Sequence, residues 1–157
     1  MKPNLGIPEN ILHLVSIELN KLLADEFILQ TKTRNYHWNI EGANFYEMHR
    51  FYEQQIVELD EMIDAIAERI RTIGFYAEAR LEDYLRLTSL IEQPYTNSQS
   101  DQLKYLLGGH ETIINNLRRL IPLFGVKYKD AGSCDFSARL MQQHEKMAWM
   151  TRAHFNG

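Results

Sequence analysis

The sequence predicts an all-α protein: a four-helix bundle with a short extra helix between the second and third long helices. Three observations carry that prediction. Apolar residues recur at helical spacing through four long stretches. Glycine- and proline-bearing breaks separate the stretches, at Glu41-Gly42-Ala43, Gly74 and Pro94 to Ser100. The chain has 157 residues, the size of one domain, and is 45% hydrophobic, enough for a real core.

Residues 1–8 hold two prolines and a glycine and read as a short extended tail, which leaves 9–157 as one domain. Pro8 and Glu9 suit a helix start. Ile11, Leu12, Val15, Leu19, Leu22, Leu23 and Phe27 then keep helical spacing, and the pattern runs through Ile28, Thr31 and Tyr36 towards Trp38. The first helix is therefore long, about 30 residues. Asn44, with Glu47 three residues on, predicts a capping box opening the second helix. Its apolar stripe is Phe45, Met48, Tyr52, Ile56, Leu59, Ile63, Ile66, Ile70 and Ile73, and Gly74 ends it. Arg80 to Glu92 is a shorter amphipathic stretch. Ser98 or Ser100 starts the third long helix, which carries Gly108-Gly109 and meets a kink near Pro122. Two mid-helix glycines cost about 2 kcal/mol relative to alanine and mark either a close helix contact or a bend. Lys127 to Ser133 reads as a loop, and the last helix as running from about Asp135 to Phe155.

Net charge is −4, so no global basic field draws the chain to nucleic acid. The single cysteine, Cys134, excludes an intrachain disulfide and points to a reducing, cytoplasmic compartment. No signal-peptide core or membrane-length apolar run is seen. There is no phosphate loop and no dinucleotide fingerprint. Cys134 reads as an incidental thiol, and His144-Glu145-Lys146 as local packing and salt bridging. No Glu-x-x-His occurs, which counts against a di-iron centre held wholly within one bundle.

The second helix carries the chemistry. His49 and Glu53 are four apart, as are Asp64 and Glu68, and all four fall on one helix face. Yet Glu53 and Asp64 lie about 16 Å apart along the axis, while metal–ligand bonds are only about 2 Å long. One helix cannot bring all four to one ion. The spacing is symmetric about Glu58 and Leu59, so an antiparallel second copy sets His49 beside the partner's Glu68 and Glu53 beside its Asp64. Two equivalent metal sites per dimer follow. The same spacing also suits a charged, solvated face. His37 joins the geometry, because the turn at 41–44 brings it level with His49.

Asn35-Tyr36-His37-Trp38-Asn39, Gly42, Asn44-Phe45, Met48-His49 and Ala67-Glu68-Arg69 together resemble the motif of the Dps family, the mini-ferritins named for DNA protection in starved cells. The resemblance continues in Leu81 to Leu85 and His144 to Met150 and covers nearly the whole chain. It implies a ferritin-like bundle assembled as a dodecamer, a homo-oligomer that oxidises Fe(II) with hydrogen peroxide and stores Fe(III) mineral. It implies His37 and His49 from one subunit and Asp64 and Glu68 from the other as the ferroxidase ligands. Glu53 stands where the family often has Asp. Trp38 matches the tryptophan beside the centre, an electron donor in the family; a packed core ring is the alternative. Asp135 matches an acid lining the pores that admit iron, and Asp130 is the candidate to join it, against an ordinary loop acid. Zinc, which shares these ligands, is a candidate substitute. Members that bind DNA often use a lysine-rich tail, whereas residues 1–8 hold only Lys2. Twelve chains of −4 would carry about −48, which opposes a polyanion. A structural DNA-compacting protein with a weak or zinc-filled site is therefore the competing reading.

Overall fold

The computed structural model describes residues 3–155. The described residues are all-helical: α1 (Glu9–Asn39), α2 (Phe45–Thr72), a short α3 (Leu81–Leu87), α4 (Gln99–Pro122) and α5 (Ala131–Ala153). Two antiparallel hairpins, α1–α2 and α4–α5, pack together chiefly through α1 and α4, and α3 lies against α1. No helix among the described residues is long and apolar enough to cross a membrane. Lys2, the one basic residue of the tail, lies outside the described residues.

α1 opens at Pro8, whose carbonyl accepts from Ile11 and Leu12 at 3.0 and 3.1 Å. Leu12, Val15, Leu19, Leu22 and Leu23 are buried as the periodicity requires, whereas Thr31 and Trp38 leave the stripe and are exposed. Gly42, at φ +116°, turns the chain into α2 in a conformation that a side chain resists. Asn44 holds the cap position, but its side chain makes no cap bond, so the expected capping box with Glu47 does not form. Its backbone, at φ −97° and ψ 24°, lacks the extended geometry that aims a cap side chain at the helix. Gly74 ends α2 at φ +99°, and Phe75 N–H reaches back to the Ile70 carbonyl at 3.1 Å.

α3 is shorter than the expected 80–92. The reason is Asp25, a buried acid of α1. Its carboxylate accepts from Thr88 Oγ1 (2.8 Å), Ser89 N (2.6 Å) and Ser89 Oγ (2.8 Å), which pins the chain in place immediately after Leu87. α4 starts at the earlier serine, with Ser98 Oγ accepting from Asp101 N–H. It runs through Gly108-Gly109 without a break. A Cβ on Gly109 would lie 2.5 Å from Leu29 Cδ1, so this glycine serves a close approach of α1 and α4.

Pro122 is the last residue of α4, which passes into a π-helical turn, Leu123–Lys127. α5 begins at Ala131, four residues before the expected start, because Asp130 caps it by accepting from Ser133 N–H at 2.9 Å. Cys134 is therefore helical rather than in a loop. The expected local role of residues 144–146 also divides: Glu145 pairs with Arg118 at the surface, but His144 is fully buried in the bundle.

Candidate metal centre

His37 sits in the last turn of α1 and His49 near the start of α2, and the Gly42 turn folds one onto the other. Their rings stack with centroids 3.7 Å apart at 21°. His37 Nδ1–H donates to the His49 carbonyl at 2.9 Å, and His49 Nδ1–H donates to the His37 carbonyl at 2.8 Å. A carbonyl oxygen only accepts, so each Nδ1 carries the proton and each Nε2 keeps its lone pair when the ring is neutral. Two metal-ready nitrogens are thereby oriented from outside the ligand set, as ligating histidines require. Phe45 stacks on the far side of His49 at 5.2 Å. Trp38 is 67% exposed, so within its own chain it is not a packed core ring.

Glu53 lies one turn beyond His49 and is held by Arg50 Nη1 at 2.7 Å in an exposed pair. Asp64 and Glu68 are exposed on the same helix. At 1.5 Å per residue they stand about 22 and 28 Å from His49 along the axis. Among the described residues of one chain, no three His, Cys, Asp or Glu side chains cluster to hold a metal ion. The fold thus brings the imidazoles together and leaves both carboxylates of the 64–68 pair at the other end of α2.

Beside Glu68, Arg69 turns inward. Its guanidinium donates to Ser133 Oγ at 3.1 Å and to Asp130 Oδ1 at 3.2 Å, tying the end of α2 to the start of α5. Asp130 is buried, and its Oδ1 serves both this clamp and the helix cap, while Oδ2 has no hydrogen-bond partner among the described residues. Asp135 differs: its side chain is 70% exposed and, among the described residues, pairs only with Arg139, at 3.1 Å. Arg69 as a clamp was not readable from sequence, where it stood only as part of the Ala67-Glu68-Arg69 motif. The reciprocal ring–carbonyl bonds had no sequence signal beyond the level placement of the two histidines.

A family model described as a ferritin-like domain matches residues 18–157. The chain is 37% identical over 155 residues to an uncharacterised low-temperature-induced protein of Nostoc sp., covering 98% of this chain and 87% of that protein. It is 31% identical over 138 residues to DNA protection during starvation protein 2 of Bacillus anthracis, covering 88% and 94%. The Vibrio cholerae O1 Dps crystal structure, described as a member of the ferritin-like diiron-carboxylate superfamily, superposes with a TM-score of 0.92 at 27% identity, covering 99% of this chain and 98% of that one. With these matches and the all-helical architecture, the chain belongs to the Dps family of ferritin-like proteins.

Proposed function

We propose that the protein oxidises Fe(II) with hydrogen peroxide at centres shared between two subunits and stores the Fe(III) as mineral inside a twelve-subunit shell, protecting the cell and its DNA. The observation that carries this reading is the His37–His49 pair, with both Nε2 atoms freed by backbone acceptors. Family membership supports iron as the substrate.

In the assembled dimer, the partner copy of α2 runs antiparallel and brings Asp64 and Glu68 to the imidazoles. Carboxylate and neutral imidazole together suit Fe(II). Glu53, once released from Arg50, supplies a carboxylate for a second, weaker iron position. Two Fe(II) ions give one electron each to one peroxide; its O–O bond breaks, and both oxygens leave as hydroxide without a free hydroxyl radical. Trp38, exposed beside the pair, is placed to supply an electron to any oxidant that escapes. Asp135 serves the pore that admits iron. The protein works in the cytoplasm or at the nucleoid, without direct DNA contact.

The test is anaerobic Fe(II) loading followed by peroxide, read by ferric absorbance, on wild type and on His37→Ala/His49→Ala. Fast oxidation that collapses in the variant supports the reading. Equal, slow oxidation in both overturns it and favours a zinc-filled or DNA-compacting shell.

A further inference from the structure

The centre of the bundle holds a hydrogen-bonded chain to which each of its four long helices contributes. Glu26 Oε1 of α1 meets His144 Nε2 of α5 at 2.7 Å. His144 Nδ1 meets His110 Nδ1 of α4 at 3.0 Å. His110 Nε2 meets Gln55 Oε1 of α2 at 3.0 Å, and Gln55 Nε2–H donates to Thr151 Oγ1 at 3.2 Å. Glu26, His110 and His144 are fully buried. No other charged group bonds to them among the described residues: α2 offers only the Gln55 amide, and the neighbouring Asp25 is turned to Thr88 and Ser89.

Counting protons defines the state. Each of the three gaps, Glu26/His144, His144/His110 and His110/Gln55, needs one hydrogen. Gln55 Oε1 can only accept, so His110 Nε2 carries the third. Every arrangement of three protons leaves the cluster neutral overall, whether as a carboxylic acid with two neutral rings or as a carboxylate with one imidazolium. Turning the Gln55 amide over would allow two protons, but it would leave an uncompensated carboxylate in a dry core, which costs several kcal/mol. A fourth proton has no gap. It either sets two N–H groups against each other at 3.0 Å, or it occupies Glu26 Oε2, which has no hydrogen-bond partner among the described residues, and leaves a net cation in the core.

We propose that the Glu26–His144–His110–Gln55 chain is an acid-released latch: three protons fasten the four helices at neutral pH, and a fourth unfastens them. Burial, and then the neighbouring His144, hold His110 well below the usual histidine range, in keeping with its refusal of that proton. The sign follows. In the unfolded chain His110 titrates at an ordinary value, so folding loses stability as pH falls through about 6.5.

The experiment is guanidinium unfolding of the iron-free full-length protein, followed by near-ultraviolet circular dichroism between pH 7.5 and 5.0. It uses wild type, His110→Phe and Gln55→Glu. Wild type gains one proton per chain on unfolding below pH 6.5, a tenfold rise in the unfolding constant per pH unit beyond that of His110→Phe. Gln55→Glu needs a fourth proton for neutrality, so acid strengthens it relative to wild type. If His110→Phe does not fold, Gln55→Glu against wild type decides alone. Equal pH slopes in all folded proteins would overturn the latch.

Discussion

His37 and His49 each hold the other's ring by a backbone carbonyl: Nδ1 to oxygen is 2.9 Å in one direction and 2.8 Å in the other. Because the acceptors are main-chain atoms, truncating one imidazole leaves the other ring's anchor in place. Each single alanine variant should therefore keep weakened zinc binding by calorimetry, and the double variant should lose it. Gly42→Ala touches neither ring but strains the turn at φ +116°, at a cost of about 1–2 kcal/mol. It should weaken zinc binding as well; unchanged affinity would show that the turn does not set the pair.

Asp130 and Asp135 separate cleanly. Asp130→Ala removes the α5 cap and the carboxylate partner of Arg69, which keeps only Ser133 Oγ among the described residues, so it should lower stability by about 1–3 kcal/mol in chemical denaturation. Asp135→Asn should leave stability nearly unchanged and slow iron uptake at low Fe(II). A stability loss at Asp135 matching that at Asp130 would contradict these roles.

The two adjacent glycines of α4 should respond with opposite signs. Gly108→Ala meets nothing within 4 Å and should stabilise by up to about 1 kcal/mol. Gly109→Ala drives a methyl into the fully buried Leu29 and should destabilise by about 1–3 kcal/mol. Thermal melts of the two variants check both.

Asp83, at the first turn of α3, accepts from the Arg80 side chain at 2.8 and 2.9 Å, with Arg86 adding a weaker contact. The Arg80 bonds first, then Arg86, lower its carboxyl to about 2. A depressed folded value stabilises above the unfolded value and loses that effect as pH falls. Asp83→Asn should thus melt below wild type at neutral pH, with the gap closing between about pH 4 and pH 2.

The helices and the ligand geometry were legible to different degrees. Periodicity gave α1 and α2 closely, because Leu12 to Leu23 and Met48 to Ile70 bury one face and nothing competes. It failed at α3 and α5, where side-chain bonds from Asp25 and by Asp130 set the boundaries; such long-range partners leave no local pattern. The stacked His37–His49 pair follows from a short turn between two helices. The bundle-centre chain has a sequence signal only in hindsight of the fold: Glu26 and His110 interrupt buried phases of α1 and α4, and His144 falls in a stretch that reads as local packing and salt bridging. A polar residue at a core phase needs a partner, but sequence alone does not say which.

The shared centre is tested most directly by complementation. Shells of His37→Ala/His49→Ala and of Asp64→Ala/Glu68→Ala should each be inactive with Fe(II) and peroxide. Co-assembled in equal amounts, they should recover about a quarter of the wild-type initial rate, because random isologous pairing rebuilds one intact centre in each mixed dimer. No recovery from two well-assembled parents would contradict an inter-subunit centre.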